Sequence, residues 1–125
     1  RVVRLGSPRV RGEGVRLGTV RRPPRGVFKK DWAARDYFDA WLPMLAPSAK
    51  LIARTELNRS PHWEETFAKH YMAEMNQPDA GRLLDALAAL SHTTNFSVGC
   101  YCQDEAHCHR RLLRKLLKDR GAKLR

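Results

Sequence analysis

Reactive side chains are concentrated in one short stretch of the chain. All three cysteines fall within Cys100-Tyr101-Cys102-Gln103-Asp104-Glu105-Ala106-His107-Cys108-His109-Arg110, together with two of the five histidines. The stretch joins Phe96-Ser97-Val98-Gly99, which reads as a strand, to Leu112-Leu113-Arg114-Lys115-Leu116-Leu117, which reads as a helix. Residues two apart on a strand share a face, so Cys100 and Cys102 point the same way as Phe96 and Val98. Cys108 precedes Leu112 and Leu116 at four-residue steps, on one helical stripe. The three thiols are expected to converge under the last helix.

Three chemistries are open to such a cluster. Free cysteine often serves as a small buried hydrophobe, and all three could be core. Alternatively, Cys102 ends a strand and faces the start of a helix, where free amides, His107 and Arg110 favour a thiolate. Cys102 is then the catalytic candidate. The same features bind phosphate or carboxylate, with Arg110 as a two-pronged donor. Asp104 and Glu105 put negative charge at that helix end and oppose this. The spacing from Cys102 to Arg110 is longer than in a phosphatase loop. Thirdly, Cys100, Cys102 and Cys108 with His107 or His109 offer four ligands to a metal such as zinc. Cys-x-Cys is tighter than the usual zinc knuckle and no second cysteine pair exists, so no metal or other cofactor is expected. His107 and His109 flank Cys108 and are expected to point outward as solvated cover.

The elements that must hold this stretch follow from local pattern. Arg1–Gly6 and Val15–Val20 read as short strands, the first stopped by Gly6-Ser7-Pro8. Arg21-Arg22-Pro23-Pro24-Arg25-Gly26 must be a loop, since two prolines remove donors and fix φ. Its arginines, Arg25 above all, could contact an anion. Asp31 is placed to cap a helix with Trp32, Tyr37, Phe38, Trp41, Leu42 and Leu45 on one face, ended by Pro43. A short helix is expected near Leu51-Ile52. Ser60-Pro61 reads as the start of a further helix whose stripe is Trp63, Phe67, Tyr71 and Met75. Asp79 opens another, with Leu83, Leu84, Leu87, Ala88 and Leu90 inward. Residues 96–102 form a nearly charge-free strand, expected to be central and buried. A last helix runs from about Glu105 to Arg120, where Gly121 stops it. Ala122–Arg125 could open one more strand. This order of strands with helices between them predicts a single α/β domain over residues 1–125, with a mostly parallel sheet.

Charge and size narrow the function classes. The 125 residues carry a net charge of +11. Residues 1–30 hold ten basic and one acidic side chain, 31–108 six and eleven, and 109–125 eight and one. Basic ends that meet on one side of the fold make an anion-attracting face. The partner expected is a small anionic ligand, held by Arg25, Cys102, His107, His109 and Arg110. Nonspecific nucleic-acid binding by the termini is the alternative, although no reading motif is present. A structural or interaction domain without catalysis is the third. No apolar run is long enough to span a membrane. The Arg-rich start lacks the apolar segment of a secretory signal. Clustered thiols do not resemble a secreted disulfide framework, so a reducing cytoplasm is expected.

Several stretches, in order, resemble the domain-of-unknown-function family 488 (YeaO-like). They are Pro24-Arg25-Gly26 followed by Lys29-Lys30-Asp31, then Trp41-Leu42 with Leu45-Ala46-Pro47-Ser48. Trp63, Phe67, Tyr71 and Glu74 come next, and last the strand and turn from Leu90 to Arg110. The cysteine-bearing branch of the family is the one matched. Where many relatives have Trp-Pro-Arg-Gly, this chain has Pro23-Pro24-Arg25-Gly26. The resemblance covers nearly the whole chain and implies a small three-layer α/β/α cytoplasmic domain. It implies no activity.

Overall fold

Four short strands form one parallel sheet in the computed structural model of the chain, which describes residues 1–57, 61–103, 105 and 108–124. The strands are β1 (Val2–Arg4), β2 (Val15–Gly18), β3 (Ala40–Trp41) and β4 (Phe96–Cys100), in the spatial order β1-β4-β2-β3. β4 is therefore interior, with Val98 opposite Val2 on one side and Leu17 on the other. Its composition explains the position. Ser97, Val98, Gly99 and Cys100 are all buried, and uncharged side chains need no partner between two covered faces. The strand stops at Cys100, two residues short of the expected end.

The α-helices are α1 (Ala49–Leu57), α2 (Trp63–Met75), α3 (Pro78–Leu90) and α4 (His109–Asp119). Their apolar faces meet the same side of the sheet. Leu51, Tyr71, Leu84, Leu113 and Leu117 share one core with Val98, against which Val2, Leu17 and Phe96 also pack. α1 is held at its start by Ser48, whose hydroxyl accepts from Leu51 N–H at 3.1 Å. Glu74 on α2 in turn receives the Ser48 N–H at 2.9 Å, which ties α1 to α2. The described part of the chain after α4 contains no strand at 122–124, and Arg125 lies outside the described residues. Gly121 does stop α4, with φ of +80°.

The other side of the sheet is covered without an α-helix. The expected helix from Trp32 does not form. Lys29–Asp31 make one 3₁₀ turn, residues up to Asp39 are turns and bends, and Ala40–Trp41 form β3 beside β2. Asp36 takes φ of +62°, which breaks a helix and which aspartate tolerates better than most residues. The aromatic spacing that imitates a helix instead builds a cluster. Trp32 lies 4.8 Å from Phe38 and 6.5 Å from Trp41, centroid to centroid. Phe38 seats on Gly18, where a Cβ would lie 2.5 Å from its ring. Under this cover Arg16 is wholly buried, with each of its three nitrogens hydrogen-bonded. It donates twice to Glu13, at 2.7 and 2.9 Å, and to the carbonyls of Ser7 and Asp36.

Two other boundaries move. α2 begins at Trp63 rather than at Pro61, and Ser60 lies outside the described residues. α4 begins at His109, not near Glu105, and Cys108 occupies its N-cap in an extended conformation with φ −130° and ψ 155°.

Candidate functional site

The carboxyl ends of β2 and β4 open into a cavity of about 510 Å³. Its floor is Cys100, Cys102, Cys108 and His109, from the end of β4 and the start of α4. One wall is the segment after β2, Val20-Arg21-Arg22. The opposite wall is α1 and α2, through Ile52, Ala53, Glu56, Trp63 and Phe67. Loops at strand carboxyl ends are where α/β sheets gather ligands.

The thiols do converge. The three sulfur atoms lie within 4.8 Å of one another. Cys100 and Cys108 are buried at 2% and 8% exposure, and Cys102 is exposed. All three are free. The route to convergence differs from the expected one, because Cys108 reaches the cluster from an extended N-cap and not from a helical stripe.

The cluster distributes charge unevenly. The Cys102 thiol is held down to about 3, first by hydrogen bonding from Cys100, then from Cys108, against the cost of burial and with help from the Arg110 charge. Cys100 is pushed up, by hydrogen bonding to Cys102 and Cys108 and by burial. Cys108 is lowered, chiefly by the Cys100 hydrogen bond. Negative charge is thus favoured most on Cys102, the sulfur nearest solvent, while Cys100, the most buried, is favoured as the protonated donor. Tyr101, beside the cluster, is pushed up to about 12 by burial and by the neighbouring Tyr37 and Cys100.

His109 is not solvated cover. It is buried at 8% exposure, and its Nε2 lies 2.8 Å from the Thr19 carbonyl and 3.3 Å from the Thr19 hydroxyl. Thr19 is itself fixed, since its N–H and its hydroxyl both donate to the Gly99 carbonyl at 2.9 Å. The other ring nitrogen, Nδ1, faces the Cys108 sulfur at 3.7 Å. The sequence holds no local signal for this contact, which spans ninety positions.

Arg110 is also placed differently from the expected fork. It is 4% exposed and is not among the residues lining the cavity. Its Nη2 donates to the Cys102 carbonyl at 2.6 Å, which pins the turn that carries Cys102. Its Nε is buried with no hydrogen-bond partner among the described residues. Arg25 is exposed and also lies outside the cavity lining. The proline-rich loop contributes Arg21 and Arg22 instead. Arg21 donates to the carbonyls of Pro47 and Pro43, at 3.1 and 3.0 Å, and so braces the wall. Arg22 is exposed at the rim, and its carbonyl accepts the Tyr101 hydroxyl at 3.0 Å. His107 lies outside the described residues.

A family model described as the active DUF488-N3 subclade, DUF488-N3a, matches residues 1–121. The chain belongs to the DUF488 family. No curated protein and no solved structure matches it. The family match spans every element that builds the cavity, from β2 to α4.

Proposed function

We propose that this DUF488 domain binds a small ligand with an anionic group in the cavity over Cys102, and presents that ligand to the Cys102 sulfur. The observation that carries the reading is the cavity itself. About 510 Å³ is within the range of small-molecule sites, and it opens over the one exposed thiol of the cluster. Val20, Pro47, Ile52, Trp63 and Phe67 supply an apolar body to the pocket, while Arg22 supplies charge at its rim. An ionised sulfur on the floor is a nucleophile for an electrophilic centre held beside it.

The test is a thermal-shift titration with phosphate, sulfate and nucleotides. Stabilisation should be saturable and should weaken with salt, because the rim is open. Arg22→Ala should weaken it by the worth of one charged hydrogen bond, about 1.5–3 kcal/mol. Arg25→Ala, outside the lining, should leave it unchanged. If no anion stabilises the wild type, or both variants respond alike, the reading fails.

A further inference from the structure

The ligand reading uses the exposed thiol and leaves the other two, and His109, without a role. Three sulfurs gathered at one point are more than packing needs, and Cys102, being exposed, is no core filler. The ring of His109 is oriented in a specific way. The Thr19 carbonyl can only accept, so Nε2 at 2.8 Å must carry a proton and donate it. In the neutral ring the lone pair is then on Nδ1, the atom turned toward Cys108 Sγ at 3.7 Å. A metal-bound histidine is set up in this way, with its second nitrogen donating to a carbonyl that fixes tautomer and ring angle.

The spacing of the three sulfurs fits one ion; His109 Nδ1 stands beside Cys108 but outside that group, so completing the shell needs it and the other two sulfurs to approach one another. Bonds of about 2.3 Å to sulfur and 2.0–2.1 Å to nitrogen in a tetrahedron place two sulfurs about 3.8 Å apart, and a sulfur and a nitrogen about 3.6 Å apart. The Cys108–His109 separation of 3.7 Å already matches the second edge. The sulfurs lie within 4.8 Å, so closing on an ion needs shifts of no more than about 1 Å. The Cys102 side chain is exposed, so rotation about its own bonds can supply such a shift while Arg110 holds its carbonyl.

We propose that Cys100, Cys102, Cys108 and His109 Nδ1 form a four-ligand, tetrahedral site for a borderline-soft divalent ion, with zinc as the expected occupant. The site is the floor of the cavity. Bound there, the ion would cross-link the end of β4 to the start of α4, and Cys102 would face the ligand as a metal thiolate. The inference shares the cavity with the ligand reading but does not depend on any ligand binding.

The experiment uses the full chain, untagged, reduced and stripped with a chelator, titrated with Co²⁺ and then Zn²⁺. One Co²⁺ per chain should bind, with intense tetrahedral d–d absorption and a sulfur-to-cobalt charge-transfer band, and Zn²⁺ should displace it. Cys102→Ser, at an exposed position, should fold normally. It should show the charge-transfer band of two thiolates instead of three, and lose at least about 10-fold in zinc affinity, the least expected when even an outer-shell partner is removed. Cys108→Ser should act in the same way, so a folding defect in one variant does not decide the result. Absence of a charge-transfer band in the wild type overturns the proposal, as does affinity unchanged by both substitutions. The anion titration, run on stripped and loaded protein, separates the two readings. Anion stabilisation without stoichiometric metal overturns only the metal site, and metal without anion stabilisation supports it while removing the ligand reading.

Discussion

If Cys102 carries the negative charge of the cluster, the metal-free protein should show it in the pH dependence of its reaction with an aromatic disulfide, and not as a faster reaction. The shift is from an ordinary 9.0 to about 3. At pH 6 an ordinary thiol is only about 0.1% ionised, so full ionisation gains roughly 1,000-fold in thiolate. Intrinsic nucleophilicity toward disulfides, however, falls by about 0.4–0.5 log units per unit of pKa, or roughly 250- to 1,000-fold over six units. The two nearly cancel at pH 6. At pH 8 the ordinary thiol is about 10% ionised, and Cys102 should then be some 25- to 100-fold slower than a cysteine peptide. The expected profile is flat from about pH 5 to 8. First-phase rates with a dithiodipyridine reagent, assigned to Cys102 by peptide mass mapping, give the measurement. Cys100→Ala removes the leading hydrogen-bond donor and should restore a rise at higher pH. A wild-type rate that climbs tenfold per pH unit between 6 and 8 would refute the assignment of charge to Cys102.

Two further outcomes concern the frame around the site. Burial alone would raise the Glu13 carboxyl, but hydrogen bonds from Arg16 and Ser97 more than offset it and hold it at about 2, below its ordinary 4.5. A depressed carboxylate stabilises fully above its unfolded value and loses that stability as pH falls from about 4.5 toward 2. At 2% side-chain exposure the shift corresponds to about 3 kcal/mol. Urea unfolding at pH 7, 4 and 3 should show the loss, and Glu13→Gln should show a lower but flatter stability; a wild type as flat as the variant refutes the linkage. Gly14 and Gly12 both have φ of +80°, yet a Cβ at Gly14 would meet the Asn95 carbonyl at 1.9 Å and one at Gly12 meets nothing within 4 Å. Both alanine variants carry the left-handed cost of about 1–2 kcal/mol, so the excess loss in Gly14→Ala isolates the clash, and equal losses contradict it.

What the sequence discloses here is set by the range of the interactions. β1 and β2 are short β-branched or alternating runs closed by glycine, β4 is a charge-free run after Asn95, and these patterns are local. α3, with Pro78 in its first turn, and the stop of α4 at Gly121 are local as well. Residues 28–45 are misread because aromatic side chains at helical spacing also suit a cover over a sheet, and the choice depends on β2, some twenty residues earlier. Convergence of the thiols is legible only from their closeness in sequence, because β4 ends at Cys100 and the turn and the extended N-cap, not a strand face and a helical stripe, bring Cys102 and Cys108 in. The burial of His109 is not legible, because its partner Thr19 comes from another strand end. Nor are the cavity walls, since α1 and α2 reach the cysteines only through the packing of the whole helical layer. Arg25 is expected at the site from its loop after a strand and Arg110 from its place at the start of the last helix, but in the fold the rim charge is Arg22, and Arg110 holds the turn from behind.

Arg110 gives the strongest physical reason to read the cysteines as more than core. A guanidinium at 4% exposure must be compensated, because an unpaired buried charge costs several kcal/mol. Among the described residues no carboxylate forms an ion pair with it. Glu105, whose carboxyl also feels the Arg110 charge, spends both oxygens on Arg114 at 2.8 and 2.9 Å. One Nη2–carbonyl bond satisfies a donor but not a charge, and the orphaned Nε adds about 1–3 kcal/mol of its own. A cluster of three neutral thiols would leave that cost standing. Negative charge on sulfur offsets part of it, and Cys102 is the thiol on which the Arg110 charge acts. The same balance holds if a divalent ion displaces the thiol protons, since three thiolates around one dication leave a single negative charge beside the guanidinium. Arg110 and the cysteines therefore account for each other, and replacing Arg110 with a neutral residue of similar length, such as methionine, should weaken both the thiolate and the metal site together.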